Sequence, residues 1–298
     1  QALYLNDVTY PTLTAHARKL PSLHAELFEL PQGEIDYWEE NRSAGLEARL
    51  QLPRALSHWS FALGWAWEQV ERLSRVDEDL GGRQALADAA YQGRLNPLTL
   101  SLLFDTTFPR DNRFTVGPEA GRRVEGIYRL RSEVTGAELD RQELVGIWGE
   151  YLGLSPERHW VLALLARGGT SWGDQTLQST FQSGGIDTPL PLRGYPARVA
   201  RGERALTATA EFRRPAWQLH RGLRDLPLVL SKLHAAAFLD TGRTWAGTGE
   251  GWRTGIGAEL LADTLLGYYL PTTAVLGWAH GFDADGESQL YFTFRGAF

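Results

Sequence analysis

The chain contains no cysteine and no methionine, not even at position 1. A cytosolic enzyme usually keeps a few reduced thiols, whereas a chain that passes through an oxidising compartment gains by having none to mispair. Gln1 is not preceded by a positively charged, apolar leader, so the sequence reads as a piece of a longer precursor. No stretch comes near the roughly twenty uncharged apolar residues that a membrane-spanning helix needs. The longest apolar run, Trp160 to Ala166, is too short. Basic excess is missing as well: the net charge is −6 with 22% charged residues, which argues against a sequence-blind nucleic-acid binder. The seven histidines are scattered, with no His-x-x-x-His pair and no cysteine partner, so no metal site is supported.

What the chain does have is alternation. Segments of about ten residues, the length of a tilted strand across a bilayer, carry apolar side chains at every second position. Phe61, Leu63, Trp65 and Trp67 share one face against Ser60, Ala62, Gly64, Ala66 and Glu68. The same rhythm sets Leu46, Ala48, Leu50 and Leu52 against Glu47, Arg49 and Gln51. It recurs over 98–105, 123–131, 206–213, 253–260 and 290–298. A half-buried antiparallel sheet in a soluble sandwich would give such a pattern too. Two features favour a membrane barrel: strands longer than the usual five or six residues, and a polar face carrying charges of both signs opposite an aromatic-rich one. The 11 tryptophans and 32 glycines suit aromatic girdles and a close-packed interior.

Connections alternate between short (Leu52–His58, Leu154–Arg158) and long (Arg75–Asn96, Gly168–Gly202, Gln218–Pro227), as in barrels with short turns on one side and long loops on the other. The expected fold is therefore all-β, an antiparallel transmembrane β-barrel with roughly thirteen strands.

The long 168–202 connection holds Gly184-Gly185 and then Leu192-Arg193-Gly194-Tyr195. A strand ending Glu211-Phe212-Arg213-Arg214-Pro215 follows, then Phe238-Leu239-Asp240-Thr241-Gly242, then Gly255-Ile256-Gly257-Ala258-Glu259, and the chain finishes on Phe298. In this order the motifs resemble the C-terminal barrel of the BamA/TamA-type surface-antigen superfamily, over about Leu98 to Phe298. The resemblance implies a loop tip of Arg193, Gly194 and Tyr195 folded into the lumen against a wall bearing Phe238, Asp240 and Gly242. Leu192 stands where the family usually has Val. The segment 108–117 resembles the family's periplasmic turn through Asp111, Asn112, Thr115 and Gly117, with Phe114 where a Pro is usual. The terminal Phe298 resembles an outer-membrane assembly signal, and Tyr37-Trp38-Glu39-Glu40 is similar to a feature of members carrying a periplasmic propeller.

The family barrel has sixteen strands, so residues 1–298 are expected to form one barrel domain without its first strands and any periplasmic N-terminal domain. The implied function is insertion of proteins into the bacterial outer membrane, or their translocation across it. The implied partners are outer-membrane lipids, unfolded or secreted client proteins and periplasmic accessory proteins, with no nucleic acid. No cofactor is implied, because strand exchange at a weak seam needs neither nucleotide nor metal. Independently of the resemblance, Arg193 offers a planar five-donor fork for which Asp240 is a natural acceptor, with Glu211 and Glu259 turned inward beside it by parity.

Two other readings stand beside this one. Gly169-Thr170-Ser171-Trp172-Gly173 matches the nucleophile elbow of serine hydrolases, which must open a helix, yet 174–185 has no apolar stripe at helical spacing. A barrel-type lipase or protease would place its active groups at Ser171 or among His234 and Asp240. A passive pore needs none of these residues.

Overall fold

The computed structural model describes residues 2–5, 11–30, 33–53, 56–72, 91–107, 117–176, 180–186, 188–222, 228–247, 251–267 and 270–296. The strands are β1 (Ala2–Leu5), β2 (Pro11–Leu30), β3 (Gly33–Pro53), β4 (His58–Arg72), β5 (Gly93–Arg94), β6 (Leu98–Asp105), β7 (Gly121–Arg131), β8 (Arg141–Ser155), β9 (Trp160–Gly173), β10 (Phe181–Ser183), β11 (Ala200–Gly202), β12 (Arg204–Gly222), β13 (Leu228–Trp245), β14 (Arg253–Leu266), β15 (Leu270–Gly281) and β16 (Ser288–Gly296). Thirteen of them form one antiparallel sheet in the order β1-β2-β3-β4-β6-β7-β8-β9-β12-β13-β14-β15-β16, with β5 added beside β4. The small hairpin β10–β11 stands apart from it, inside the connection between β9 and β12. Among the described residues no helix is long and apolar enough to cross a membrane.

The alternation falls on the sheet as an inversion of a soluble protein. In β4 the side chains of Phe61, Leu63, Trp65 and Trp67 face outward and exposed, while Ser60 and Ala62 are buried. In β16 the outward Leu290, Phe292 and Phe294 are 61–78% exposed. In β12–β14 the buried positions include Thr207, Glu211, Asp240, Thr244 and Glu259. An outer surface this apolar would cost about 25 cal/mol per Å² in water, and a lipid layer removes that cost. Aromatic rings pair along the sheet, with Trp59 tilted against Phe104 (4.4 Å between centroids) and Trp160 edge-on to Phe212 (5.9 Å). The sheet curls so that β3 and β4 face β7, β8 and β9 across a luminal cavity. The fold is an antiparallel β-barrel with a loop folded into its lumen.

Two expected connections are shorter than the composition suggests. β9 continues through Gly168, Gly169 and Thr170 to Gly173, because these residues pair with β8 on one side and β12 on the other. The luminal loop therefore starts at Asp174. Likewise the polar 218–222 stretch remains strand, since Arg221 pairs with Leu230 and Gly222 with Val229 beyond a register shift. Only 223–227 separate β12 from β13. Tyr37-Trp38-Glu39-Glu40 lies within β3, paired with β2.

A sheet of this kind should resist carbonate extraction from membranes and should migrate faster on gels unheated than boiled. Full solubility without detergent would contradict the outward apolar face.

Candidate functional site

β12, β13 and β14 set three carboxylates on one luminal patch. Their register places Glu211 beside Phe238, Thr209 beside Asp240, and Glu259 beside Ala236. Onto this patch the 174–203 loop lowers its tip. The loop is organised by β10–β11 and by a bridge between Gly185 and Leu192, and the Thr244 hydroxyl donates to Ser183 at 2.7 Å.

Arg193 is the anchor. Its Nε donates to Asp240 Oδ2 at 2.7 Å and its Nη2 to Asp240 Oδ1 at 2.9 Å, a bidentate fork. Nη1 reaches Glu211 at 3.3 Å and Glu259 at 3.2 Å. The guanidinium lies over the Phe238 ring, 3.3 Å from its centroid, a contact worth about 2 kcal/mol or more when desolvated. Burial works against the charge, but the hydrogen bonds and charge of Asp240, with those of Glu211 and Glu259, outweigh it and hold Arg193 above the ordinary arginine range. The carboxylates have further partners. Thr209 donates to Asp240 at 2.8 Å, Arg213 to Glu211 at 2.6 Å, and Tyr291 to Glu259 at 2.7 Å.

The neighbouring tip residues explain the close approach. Gly194 has φ +87°, and a Cβ there would meet the Gly281 nitrogen at 2.5 Å. Gly255 must also lack a side chain, because a Cβ would sit 2.3 Å from the Arg193 carbonyl. Tyr195 is fully buried. Its hydroxyl lies 2.7 Å from the Asp283 carboxylate and from the Thr254 carbonyl, and it accepts from the Thr254 N–H at 2.9 Å. Those bonds hold Asp283 below its usual range, the Tyr195 hydroxyl contributing most. Leu192 is also fully buried, and a Cβ at Gly242 would lie 3.5 Å from its Cδ1.

Arg193, Gly194, Tyr195, Phe238, Asp240, Gly242, Glu211 and Glu259 thus meet at one place. Gly117, with φ +109°, is not at the loop tip but borders the cluster, where a Cβ would touch the Arg213 guanidinium at 3.4 Å. Asp111, Asn112, Thr115 and Phe298 lie outside the described residues. Thr209, Arg213, Tyr291, Thr254 and Asp283 were not anticipated. Inward parity marks the first three. Thr254 and Asp283 act through a backbone contact and a turn, which leave no periodic signal.

The hydrolase constellation is not assembled. Ser171 sits in strand β9, not at a strand-to-helix turn, and its hydroxyl lies 3.2 Å from both Gln175 Oε1 and the Glu203 carbonyl. Thr170 pairs with Arg204 and His234 with Pro215, so Ser171 and His234 are separated by more than about 30 Å at roughly 3.3 Å per strand residue. Asp240 is committed to Arg193, while the His234 ring is 3.9 Å from Asp263.

Removing Arg193 takes the bidentate cation from Asp240 and a cationic donor from Glu211 and Glu259, so Arg193→Ala should weaken loop seating by about 3–5 kcal/mol. Limited proteolysis of the 174–203 loop in detergent should accelerate accordingly. Arg193→Lys should restore only part of the protection, because Lys lacks the planar fork. Asp240→Asn should act like Arg193→Ala, and the double variant should be little worse than either. Unaltered cleavage of Arg193→Ala would refute the anchor.

No protein-family model and no curated protein matches the sequence. Solved structures do. BamA from Haemophilus ducreyi, crystallised without POTRA domains 1–3, superposes with a TM-score of 0.59 at 14% identity, covering 97% of this chain and 62% of that one. CdiB from Escherichia coli gives a TM-score of 0.63 at 12% identity, covering 96% of this chain and 50% of that one. The chain therefore spans under two thirds of either protein, and at these identities the likeness concerns the fold. The fold that this chain shares with both structures is the antiparallel β-barrel.

Proposed function

We propose that the chain inserts client proteins into the bacterial outer membrane or moves them across it. The observation that carries this reading is the luminal loop held on the β12–β14 wall by Arg193, with Asp240 1% and Glu259 3% exposed beneath it. A passive pore is served by an open bore. Here a long connection is folded inward and fastened by an ion cluster, so its seating can be tuned or released without breaking a covalent bond. The lumen is otherwise lined with charges of both signs, which suits transient contact with polypeptide. The clients would be unfolded or secreted proteins, with outer-membrane lipids around the barrel and periplasmic accessory proteins as further partners.

The test is reconstitution of the chain into liposomes, with an unfolded barrel client outside and protease protection as readout. The chain should protect more client than empty vesicles, and Arg193→Ala should slow this several-fold while the unheated gel shift persists. Client protection no better than in empty vesicles would end the reading. Ester hydrolysis that disappears in Ser171→Ala would favour a hydrolase instead, and a transport-inert chain with steady ion conductance would favour a pore.

A further inference from the structure

The outer face of the sheet carries two arginines that no described residue neutralises. Register sets Arg204 of β12 beside Trp245 of β13, and Leu206 beside Arg243. Leu206 is exposed on the lipid side. Directly paired residues point the same way, and so do residues two apart on one strand, so Arg204, Arg243 and Trp245 face outward with it. Their paired neighbours on that face are Thr170, Leu206 and Trp245, none of them acidic. The Arg243 guanidinium lies over the Trp245 ring, 5.0 Å from its centroid, and its buried Nε has no hydrogen-bond partner.

Both arginines stand at the strand ends that carry the 174–203 loop, and long loops mark the extracellular side of such barrels. Trp172, exposed on β9 two residues beyond Thr170, belongs to the same rim. A charge on the lipid face is unfavourable at the bilayer centre and tolerated at the interface, where it can reach an anionic headgroup. An apolar groove of about 500 Å³ opens on the same face nearby. One row of outward side chains joins the two: Leu63, Leu100, Tyr128, Leu144, Thr170 and Arg204, across β4, β6, β7, β8, β9 and β12. Leu144, at the groove's edge, is two strands from Arg204, about 10 Å at the usual strand spacing. Gly126 forms the floor, where an added Cβ would meet nothing.

We propose that this outer face binds one phosphate-bearing lipid, its phosphate between Arg204 and Arg243 and an acyl chain in the groove over Gly126. The two arginines are diagonal neighbours, about 7–8 Å apart at the backbone, a separation that two long side chains can close around one phosphate. Guanidinium forks bind phosphate bidentately. A phosphate monoester carries about −1.5 to −2 charge at neutral pH, which two arginines balance. The groove selects a lipid over a soluble anion, because only a lipid brings hydrocarbon to fill it.

The test is native mass spectrometry of the full chain folded in an uncharged detergent, with phosphatidic acid, phosphatidylcholine or glycerol 3-phosphate added. One phosphatidic acid should be retained at least about tenfold more tightly than phosphatidylcholine, whose choline cancels the phosphate charge. Glycerol 3-phosphate, which has the phosphate without the chains, should bind more weakly than phosphatidic acid. Arg204→Gln with Arg243→Gln should bring phosphatidic acid down to the level of phosphatidylcholine. Gly126→Leu, which fills the groove, should weaken both lipids and leave the preference between them, a split that a general charge effect would not give. Arg158→Gln, over Trp160 at the β8–β9 turn, should leave retention of both lipids unchanged. If the double variant loses the unheated gel shift, Arg204→Gln and Arg243→Gln carry the test singly, each lowering the preference about threefold. Equal retention of the two lipids overturns the proposal, as does glycerol 3-phosphate binding as tightly as phosphatidic acid. So does a preference that survives these arginine substitutions, or one that Arg158→Gln lowers equally.

Discussion

A backbone that crosses lipid must satisfy its own N–H and C=O groups, because the hydrocarbon layer offers no water to do so. In this chain that constraint is met by one long antiparallel sheet, and the remaining features follow from it. Once the hydrogen bonds run between strands, each strand has a lipid side and a luminal side, and period-two alternation must place apolar residues outward. The exposed Phe61, Leu63, Trp65, Phe292 and Phe294 would be a liability in a soluble protein. Here they are the surface that the membrane covers.

The inversion concentrates polar residues on the inside of a curved wall, where charges from different strands come within reach of one another. Strand register then decides which ones meet. On β12–β14 it gathers an acidic patch, which a loop arginine and Arg213 offset; on β7–β8 it gathers a basic patch around Glu143. For the first patch the chain supplies the cation from its own loop. Arg193 is well suited to that task because one planar group can hold Asp240 with two bonds and still reach Glu211 and Glu259 with the third nitrogen. The Phe238 ring beneath it adds attraction without adding another charge.

The fit also depends on missing side chains. Gly194, Gly255 and Gly281 let the loop backbone lie against the wall, so that the Gly194 carbonyl accepts from the Glu287 N–H at 2.9 Å. Any Cβ at Gly255 would lift the tip from its seat. Loop and wall are therefore matched in backbone shape as well as in charge, which ties the arginine's position to β14, β15 and the turn that follows β15.

The sequence by itself determined the strand period, the outward apolar face, the inward parity of Glu211, Asp240 and Glu259, and the arginine offered to them. Those properties are local, since alternation and side-chain chemistry do not depend on distant partners. Only the tertiary structure decided where strands end and what the polar face contacts. Gly168 to Thr170 and 218–222 look like loop by composition, yet pairing with neighbouring strands holds them extended. The Ser171 motif, suggestive as text, is fixed in a strand far along the wall from His234. Tyr195 with Asp283, and Arg131 opposite Arg141, are meetings set by register and curvature. A one-residue slip would turn the luminal carboxylates to the lipid side. Sequence periodicity is blind to cross-strand register, so these contacts became visible only when the sheet was assembled.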